Sequence, residues 1–432
     1  MERQYHTLSL ENATEYASRF LRWAHKGFDR VAFLVSNSPH SDPYGKHHAL
    51  LAIGSITHCT PDQHAFSCLK DFSDQHQDWI FGFLSYDLKN QLEDLTSNHP
   101  DGIGFPQMHF FVPRLLVQFF KDHIRLGLVP GDPLDPAQWL SEVLQASAEP
   151  FAQEKVTLRH RVSQKEYMEK VRQMQKHIQA GDIYEANYCI EFFAEDAVIQ
   201  PVETFVSMNT SNPSPFACFF RYNDRFLISS SPERFLAKRG NKLISQPIKG
   251  TIRRGADAGE DEMLKQQLFL DPKERSENVM IVDLVRNDLS KTATKGSVKV
   301  EELFGIYTYP RVHQMISTVC SQLRSDLHFT DALREAFPMG SMTGAPKIRA
   351  MQIIEQCEAT KRGLYSGAVG YIEPNKDFDF NVIIRSILYN HSEKFLSFMA
   401  GSAITIDALP EKEYKECLLK AASMAQAVHA TL

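Results

Sequence analysis

The chain has 432 residues, with 47 Lys and Arg against 53 Asp and Glu, so its formal net charge is −6. This near-neutral balance excludes a polybasic nucleic-acid binder, which would need an excess of cationic side chains to neutralise phosphates. The hydrophobic fraction of 43% and the charged fraction of 23% are those of a globular protein and exclude a disordered chain. The length corresponds to about three domains of ordinary size, although one large domain or two fused ones would also fit.

The sequence contains no candidate for a targeting or membrane-spanning segment. Residues 1–16 are polar and lack the apolar run of a secretory signal. The most apolar stretch, residues 109–120, is interrupted by Pro113 and Arg114 and is too short to cross a bilayer. The seven cysteines are scattered without Cys-x-x-Cys spacing, which favours a reducing compartment and argues against structural zinc. We therefore expect a cytoplasmic protein.

A boundary is predicted near residue 150. Turn residues cluster from Gly131 to Pro136, and Ala148-Glu149-Pro150 follows a short helical stretch. We expect regions 1–150 and 151–432, with the first packing against the second as a layer of a single fold. In the first region, apolar runs predict strands at 31–35, 79–84 and 109–120, and no motif there indicates a chemical function.

The second region begins with a predicted helix. Ser163 and Glu166 form a capping box, apolar residues recur at helical spacing, and Gly181 stands where the helix should end. Residues 183–192 alternate between apolar and polar side chains, which predicts a half-buried strand with a polar face. Paired strands are predicted at 225–238 with 242–252 and at 378–389 with 394–406, and helices at 272–291, 345–358 and 410–429. Hairpins and helices in separate runs predict an α+β fold with antiparallel sheets.

Two of the predicted helices each carry a pair of glutamates three residues apart, Glu274 with Glu277 and Glu413 with Glu416. Residues at this spacing share a helix face, so each pair can present two carboxylates to one divalent cation such as Mg²⁺. An alternative is that Glu274 closes a capping box after Asp271 and that Glu413 stabilises the first turn of its helix. Glu277 differs, because it lies beside an apolar run, where a carboxylate needs a partner.

Three further side chains have both a chemical and an ordinary interpretation. Lys249, between Pro247 and Gly250, is either an exposed side chain or a nucleophilic amine. Glu233, after a strand, is either a solvated turn residue or a general acid with a raised pKa. His313 is either a base or a satisfied core or surface residue.

The segment Gly340-Ser-Met-Thr-Gly-Ala-Pro-Lys347 leads into a predicted helix with Pro346 at its first position. Such a glycine-rich lead can expose backbone N–H groups to an anion, or it can be a plain loop-to-helix turn. Arg385 is predicted in the middle of a strand, on the face of Asp379 and Asn381, where it suits bidentate binding of a carboxylate or a surface ion pair. Together, these residues suggest a small polyanionic substrate, a divalent ion and an acid–base pair.

Five motifs, taken in order, resemble those of the chorismate-utilising enzymes, a family that includes anthranilate, isochorismate, salicylate and aminodeoxychorismate synthases. The motifs are Ser231-Pro-Glu-Arg-Phe235, Pro247-Ile-Lys-Gly-Thr251, the run from Glu277 to Asp288, Gly340-Ser-Met-Thr-Gly-Ala-Pro-Lys347 and Glu413-Tyr-Lys-Glu416. The resemblance extends from about residue 160 to about residue 425. Residues 1–150 resemble the variable N-terminal region of anthranilate synthase component I, and residues 151–432 resemble the chorismate-binding catalytic domain.

The resemblance implies antiparallel sheets packed as a sandwich with flanking helices, and a site in a cleft. It implies Mg²⁺ held by Glu277 and Glu416, with Glu274 and Glu413 nearby. Glu233 would protonate the departing C4 hydroxyl, and His313 would lie beside the substrate ring. The implied substrate-binding residues are Thr343, Gly344, Tyr365, Arg385, Gly401, Ser402, Ala403 and Glu185.

Within the family, Lys249 resembles the lysine that marks the aminodeoxychorismate synthases, where other members have alanine. The resemblance implies that this lysine attacks ring C2 as the C4 hydroxyl leaves and that ammonia then takes its place at C4, which is covalent catalysis. The implied pathway is synthesis of folate through para-aminobenzoate. Amination at C2, as in anthranilate synthase of tryptophan synthesis, is the alternative. A non-catalytic partner of an amidotransferase and a metal-independent structural protein are alternatives from other classes.

Three comparisons within the family sharpen these expectations. No Gly-x-Cys-x-Gly elbow is present, so ammonia is expected from a separate glutamine amidotransferase subunit or from solution. Ala400-Gly-Ser-Ala-Ile404 and Tyr184-Glu-Ala-Asn187 stand where members often have Ala-Gly-Gly-Gly-Ile and Tyr-Gln-Val-Asn. Glu185 would therefore alter the field near the ring. The water-activating lysine of the isochorismate and salicylate enzymes is absent, which argues against water as the nucleophile.

Overall fold

The structure is a computed structural model that describes residues 2–37, 42–147 and 155–432. Its α-helices are α1 Ala17–Gly27, α2 Ala65–Gln75, α3 Pro136–Gln145, α4 Gln164–Gln179, α5 Pro201–Ser211, α6 Ala258–Leu270, α7 Pro272–Ser290, α8 Phe329–Ala336, α9 Lys347–Cys357 and α10 Pro410–Ala427. Short 3-10 helices cover Ala13–Tyr16, Tyr86–Gln91 and Gly340–Met342.

The strands before residue 200 are β1 Gln4–Ser9, β2 Arg30–Val35, β3 Ala49–Cys59, β4 Ile80–Leu84, β5 Met108–Phe119, β6 His123–Leu128, β7 Arg159–His160 and β8 Glu185–Ala194. Those after it are β9 Phe216–Tyr222, β10 Arg225–Ser231, β11 Arg234–Arg239, β12 Lys242–Gln246, β13 Ile248–Arg253, β14 Lys299–Thr308, β15 Val312–Gln322, β16 Gly344–Ala345, β17 Ala368–Ile372, β18 Phe378–Val382, β19 Ser386–Asn390 and β20 Phe395–Ile404. Every pairing among these strands is antiparallel, so the predicted α+β class is confirmed.

Two runs of strands form the sheet, and they share the long strand β5. One run follows the order β7, β8, β20, β19, β10, β9, β2, β3 and β5. The other follows β5, β4, β17, β18, β11, β12 and β15, and β15 also pairs with β13 and β14. Side chains of both runs meet in one apolar core, where the ring centroids of Phe83 and Phe220 are 5.2 Å apart. This is the sandwich that the family resemblance predicts.

A second core lies between the first run of strands and the helices that cover its other face. Phe192 of β8 belongs to this core together with Phe20 of α1, Val171 of α4 and Met424 of α10. Helix cover on one side and the second run of strands on the other leave the central strands buried on both faces. Among the helices of the described residues, none is both long and apolar enough to cross a membrane.

The predicted boundary at residue 150 lies within 148–154, outside the described residues. Strands from either side of it pair directly: β2 pairs with β9, and β4 pairs with β17. Phe83 on β4 and Phe220 on β9 also share one core. The two regions therefore contribute neighbouring strands to one sheet.

The predicted helices are confirmed, and the capping box of Ser163 and Glu166 is present at the start of α4. The predicted half-burial of residues 183–192 is wrong. Ala186 faces the helix-covered core, and the opposite side chain of Glu191 is buried too, whereas Tyr184 lies before the strand and is exposed. Alternation along the strand does not reveal that both faces are covered.

Candidate active site

The side chain of Lys249 lies at the centre of the site. It projects from β13 and is only 13% exposed, so the interpretation as an ordinary exposed lysine is wrong. Its Nζ lies 3.9 Å from Oε2 of Glu277. Burial lowers the pKa of this amine, but four carboxylates outweigh burial and raise the pKa above its usual value. They belong to Glu185, Glu277, Glu416 and Glu233.

Helices α7 and α10 meet through the carboxylates predicted to bind a metal. Nζ of Lys273 lies 3.6 Å from Oε1 of Glu277 and 3.9 Å from Oε1 of Glu413, so one ammonium joins the two helices. Nζ of Lys420 lies 2.6 Å from Oε1 of Glu416. Neither lysine was predicted from the sequence. The signal was available, since each stands four residues from its glutamate on the same helix.

The carboxylates of this group repel one another. Burial, followed by the charge of Glu277, raises the pKa of Glu274 to about 6. Burial and the charge of Glu416 raise the pKa of Glu413. Burial also acts to raise the pKa of Glu416, but the ammonium of Lys420 holds it below its usual value. Within the described part of the chain, no three His, Cys, Asp or Glu side chains lie close enough together to hold a metal ion.

The cap at the start of α7 is separate from this group. The Asp271 side chain accepts hydrogen bonds from the backbone N–H groups of Lys273 and Glu274, which is the predicted N-cap. The carboxylate of Glu274 instead lies beside Gly250, with Oε2 3.2 Å from the point where a Cβ would stand. Glu274 is therefore directed toward the segment that carries Lys249.

Glu233 lies where the predicted strand 225–238 is interrupted between β10 and β11. Its carbonyl accepts a hydrogen bond from N–H of Val382 at 3.0 Å, which fixes the interruption against the end of β18. The residue is 5% exposed, so the solvated-turn interpretation is wrong. Burial raises the pKa of Glu233 to about 7, although the charge of Lys249 acts to lower it. A carboxyl in this state holds a proton near neutral pH.

The segment from Gly340 to Lys347 runs alongside β8. The carbonyl of Thr343 accepts a hydrogen bond from N–H of Asn187 at 2.8 Å, and β16 pairs with the start of β8. A Cβ on Gly344 would stand 2.2 Å from the carbonyl oxygen of Glu185, so only glycine allows this approach. The segment is thus fixed next to Glu185.

The helix after this segment begins one residue later than predicted. Pro346, predicted at the first helical position, has extended backbone angles and is the N-cap of α9. Nζ of Lys347 lies 2.6 Å from Oδ2 of Asp288 and 3.1 Å from the carbonyl of Ala336. This buried ion pair connects the start of α9 to α7, the helix that carries Glu277.

A second buried ion pair that the sequence did not predict connects the same segment to β8. Arg362 donates to both carboxylate oxygens of Glu358, to the Met342 carbonyl at 2.6 Å and to the Asn187 carbonyl at 2.8 Å. Glu358 accepts a further bond from N–H of Cys189 at 2.9 Å. The available signal was an acid and a base four residues apart, but they lie outside any helical pattern.

Arg385 lies between strands, so its predicted position in the middle of a strand on the face of Asp379 and Asn381 is wrong. The predicted strand 378–389 is divided into β18 and β19, and Arg385 between them has a φ of 51°. Within the described residues its guanidinium makes one hydrogen bond, to the Lys420 carbonyl at 3.4 Å. Its remaining N–H groups are therefore available to a ligand carboxylate.

Tyr365 and Glu416 are titratable neighbours of Arg385. Burial lowers the pKa of the Arg385 guanidinium, and the charge of the Glu416 carboxylate opposes that effect. The hydroxyl of Tyr365 is 3.9 Å from Sγ of Cys189 on β8. The two predicted carboxylate-binding side chains, Tyr365 and Arg385, are thus brought to the α10 side of the site.

The residues Gly401, Ser402 and Ala403 lie on β20 opposite β8. A Cβ on Gly401 would stand 2.5 Å from Sγ of Cys189, so this glycine is required by the close packing of the strands. Oγ of Ser402 lies 2.9 Å from the hydroxyl of Tyr167. The serine that replaces a family glycine is therefore buried and bonded on the α10 side.

His313 is fully buried on β15 and has two partners. Its Nε2 lies 3.0 Å from Oδ1 of Asp261, and its Nδ1 lies 3.0 Å from Oγ1 of Thr308. These contacts differ from those of Lys249 and Glu233, which share one electrostatic environment. The structure therefore groups the amine of Lys249 with the carboxyl of Glu233 and with Glu185, Glu277 and Glu416, and places the His313 ring against Asp261.

The family of proteins with this arrangement of Lys249 and buried glutamates follows from the whole sequence. The model of the chorismate binding enzyme family matches residues 30–426. The chain belongs to that family. The match includes most of the region before residue 150, where the motifs alone had indicated only a loose resemblance. The chorismate-binding enzyme predicted from five short motifs is thereby confirmed.

Individual relatives within the chorismate binding enzymes carry two specificities. Aminodeoxychorismate synthase component 1 from Klebsiella aerogenes is 36% identical over 78% of this chain and 74% of its own length. Anthranilate synthase component 1 from Thermus thermophilus is 34% identical over 81% of this chain and 78% of its own length. The crystal structure of anthranilate synthase component I from Streptococcus pneumoniae has a TM-score of 0.77 at 26% identity, covering 90% of this chain and 95% of that one. The predicted anthranilate synthase component I-like fold is confirmed, and overall identity does not separate the two specificities.

Proposed function

We propose that this chain aminates chorismate at C4 and forms 4-amino-4-deoxychorismate. The observation that carries the proposal is the amine of Lys249, buried among carboxylates and sharing the environment of Glu233. A nucleophilic amine at this point is what amination at C4 requires and what direct amination at C2 does not. The similarity to the Klebsiella aerogenes aminodeoxychorismate synthase component 1 supports the same reaction.

The reaction divides into two displacements. In the first, the ammonium of Lys249 gives up a proton to the carboxylates around it, its free amine bonds to ring C2, the ring double bonds shift, and the C4–O bond breaks. Glu233 donates a proton to the departing hydroxyl, which leaves as water. In the second, ammonia bonds to C4, the double bonds shift back, and the C2–N bond breaks, which returns the electron pair to Lys249. The ammonium formed at C4 then returns a proton to Glu233, and Lys249 regains its own proton from the neighbouring carboxyl groups.

Glu233 is suited to the acid role. Its pKa of about 7 means that a large part of the population carries a proton near neutral pH, whereas an ordinary glutamate is ionised there. Burial is the main cause of this shift. A hydroxyl departs more readily when a positioned acid protonates it, and such catalysis contributes about a hundred- to ten-thousand-fold in rate.

We also propose that Glu277 and Glu416 hold Mg²⁺, with Glu274 and Glu413 nearby. Four carboxylates from two helices, two of them with pKa values raised by burial and by each other, are a donor set that a hard divalent cation would stabilise. When bound, Mg²⁺ would supply a Lewis acid for the ring carboxylate of the substrate. Binding requires that the carboxylates exchange their contacts with Lys273 and Lys420 for the ion.

The other polar groups of the site suit the carboxylates of chorismate. Arg385 keeps unbonded N–H groups toward the α10 side, and Tyr365 is beside it. We assign these two side chains, Thr343 and the backbone at Gly344 and at 401–403 to carboxylate binding. The Thr343 hydroxyl donates to the Met339 carbonyl at 3.2 Å, so it must leave that bond to donate to a ligand. His313 is assigned a place beside the ring, positioned through Asp261.

The nitrogen source is proposed to be a separate glutamine amidotransferase subunit. Relatives named as component 1 support a second component. We place the reaction in the cytoplasm, in the synthesis of para-aminobenzoate for folate, and the free state of all seven cysteines supports a reducing compartment.

The proposal is tested by product identification. Purified chain, chorismate, Mg²⁺ and ammonium chloride are incubated at alkaline pH, and the products are separated and identified by mass spectrometry. 4-Amino-4-deoxychorismate is the expected product. Anthranilate would instead support the C2 amination of the Thermus thermophilus relative, whose overall identity is similar. The same incubation with an added glutaminase subunit and glutamine tests the proposed partner.

A further inference from the structure

Arg362 is a buried arginine that joins three backbone segments around the site. Its side chain is 1% exposed and forms a bidentate ion pair with Glu358. One terminal nitrogen donates to the carbonyl of Met342 at 2.6 Å, and the other donates to the carbonyl of Asn187 at 2.8 Å. The paired Glu358 accepts a hydrogen bond from N–H of Cys189 at 2.9 Å. A guanidinium fixes such partners around one plane, which the single ammonium of a lysine does not do.

Two of these segments carry groups that we assign to the carboxylates of chorismate. Met342, whose carbonyl is bonded to Arg362, directly precedes Thr343 and Gly344. The N–H of Tyr365 donates to the carbonyl of Arg362 at 3.1 Å, so Tyr365 belongs to the same turn of the chain. A displacement of Arg362 would therefore move carboxylate-binding groups on both sides of it.

The same ion pair fixes β8 against β20. It bonds the backbone at Asn187 and at Cys189, and these two residues pair with Ala403 and Gly401 of β20. The strands are in close contact there, since a Cβ at Gly401 would stand 2.5 Å from Sγ of Cys189. The third set of assigned groups, the backbone at 401–403, thus depends on where the ion pair holds β8.

A turn of the first region holds Arg362 in place. The carbonyl of Gly363 accepts hydrogen bonds from the hydroxyl of Ser85 at 2.6 Å and from N–H of Tyr86 at 2.9 Å. The N–H of Gly363 donates to Oδ2 of Asp87 at 2.9 Å. The guanidinium of Arg362 lies over the ring of Tyr86, 4.5 Å from its centroid. Residues 85–87 therefore grip the chain directly after Arg362, although the sequence shows no chemical motif in the first region.

We propose that Arg362 is a positioning residue for chorismate and that residues 85–87 hold it in register. This inference rests on the proposed function, which assigns the carboxylate-binding groups. All five N–H groups of Arg362 have partners within the chain, with the Ser366 hydroxyl as the weakest at 3.4 Å, so Arg362 acts through other groups. Donors that are already arranged bind a ligand more tightly, because ordering them on binding costs free energy.

The test compares Arg362→Lys and Ser85→Ala with the wild type. Lysine keeps a charge beside Glu358 but loses the planar set of donors, so the KM and the dissociation constant for chorismate should rise about tenfold. Ser85→Ala removes one neutral hydrogen bond to Gly363 and should raise both constants about threefold. The KM for ammonium and kcat should change less than about twofold, because the ammonia and the reacting groups do not depend on the carboxylate-binding groups.

The measurements separate binding of chorismate from the other steps. Initial rates with chorismate varied at saturating ammonium, and with ammonium varied at saturating chorismate, give the two KM values. Calorimetric titration with chorismate in the presence of Mg²⁺ and without ammonium gives the dissociation constant. Urea unfolding of each variant gives the loss of stability.

Arg3→Lys is the matched control, since the Arg3 side chain is also 1% exposed. Arg3 pairs with Asp78 at 2.7 Å and donates to the backbone carbonyls of Pro113, Arg114 and Gly127, none of which is assigned to the site. This variant should lose stability in urea as Arg362→Lys does, while its KM for chorismate stays within about twofold.

A purely structural role for Arg362 gives a different result. An unchanged dissociation constant for chorismate in Arg362→Lys, equal increases of the two KM values, or an equal effect of Arg3→Lys would overturn the inference. If Arg362→Lys does not fold, Ser85→Ala decides alone, and chorismate binding equal to that of the wild type overturns the inference. Formation of anthranilate by the wild type would instead overturn the proposed function, and the comparison of dissociation constants would still test Arg362.

Discussion

The buried carboxyl of Glu233 should make the stability of the ligand-free protein depend on pH in a defined direction. Its pKa is about 7 in the folded chain, against an ordinary value of 4.5. Because the folded state holds the proton more tightly than the unfolded state, the contribution of Glu233 to stability falls as pH rises from about 4.5 to about 7 and is then constant. The shift corresponds to about 3 kcal/mol of free energy of unfolding.

Glu233→Gln removes this dependence, because the amide cannot ionise. The difference in free energy of unfolding between variant and wild type should increase by about 3 kcal/mol in favour of the variant from pH 4.5 to pH 8. The amide can also change stability by an amount that does not depend on pH, and this amount does not affect the increase. Urea unfolding at a series of pH values, without Mg²⁺ or chorismate, measures the difference. Glu142→Gln on the exposed face of α3 is the control, and its difference from the wild type should stay within about 0.5 kcal/mol.

The same variant should lose activity while it gains stability at high pH. Without the proton of Glu233, amination should fall by about a hundredfold or more. In the wild type, the acid role predicts that kcat/KM for chorismate at saturating ammonia falls as pH rises through about 7. If the free energy difference between variant and wild type is equal at pH 5 and pH 8, the burial argument for Glu233 is refuted.

Three other predictions concern different contacts. Lys249→Ala should abolish both the C4-aminated product and any covalent adduct seen by intact-protein mass spectrometry after acid quenching, and product that persists would argue against the nucleophile. Lys347→Ala should lower the unfolding free energy by about 3 kcal/mol, because it leaves the carboxylate of Asp288 buried without its closest partner; urea denaturation measures the loss, and a change below about 1 kcal/mol would contradict it. Glu277→Gln should weaken Mg²⁺ binding at least tenfold in calorimetric titration, whereas Glu411→Gln, an exposed change on α10, should not.

The elements of the fold were largely predictable, because local signals determine them. Asp271 followed by Pro272 predicted the start of α7, and Ser163 with Glu166 predicted the start of α4. Both signals act within one turn of helix, so a single sequence contains them. The antiparallel class followed in the same way from hairpins such as the one at Gly240, where φ is positive.

Interruptions of strands were missed. Pro232 was an available signal for the break before Glu233, whereas the segment before Arg385 continues in an apolar pattern and yet the strand is divided there. The breaks depend on partners distant in sequence, such as the bond from N–H of Val382 to the Glu233 carbonyl. Both interruptions carry residues assigned to the site, in agreement with the tendency of irregular backbone to occur where side chains must be directed at a ligand.

The positions of the site glutamates were predicted only in part. The spacing predicted that Glu274 lies beside Glu277 and that Glu413 lies beside Glu416. It did not predict that the two pairs lie beside each other. That proximity depends on how α7 and α10 are placed by the sheet, and it is marked by Lys273 between them. The unpaired oxygen of Glu185, Oε2, which has no hydrogen-bond partner within the described part of the chain, could not be predicted from the sequence, because hydrogen bonding depends on every neighbour in space.

The central claim is that nitrogen enters at C4 after Lys249 has occupied C2. Its most direct test is nuclear magnetic resonance of the product formed from chorismate and ¹⁵N-labelled ammonium with the wild-type chain. The account predicts coupling of the label to C4 in the aminated product. Label attached to C2 would contradict it and would place this chain with the anthranilate-forming members of its family.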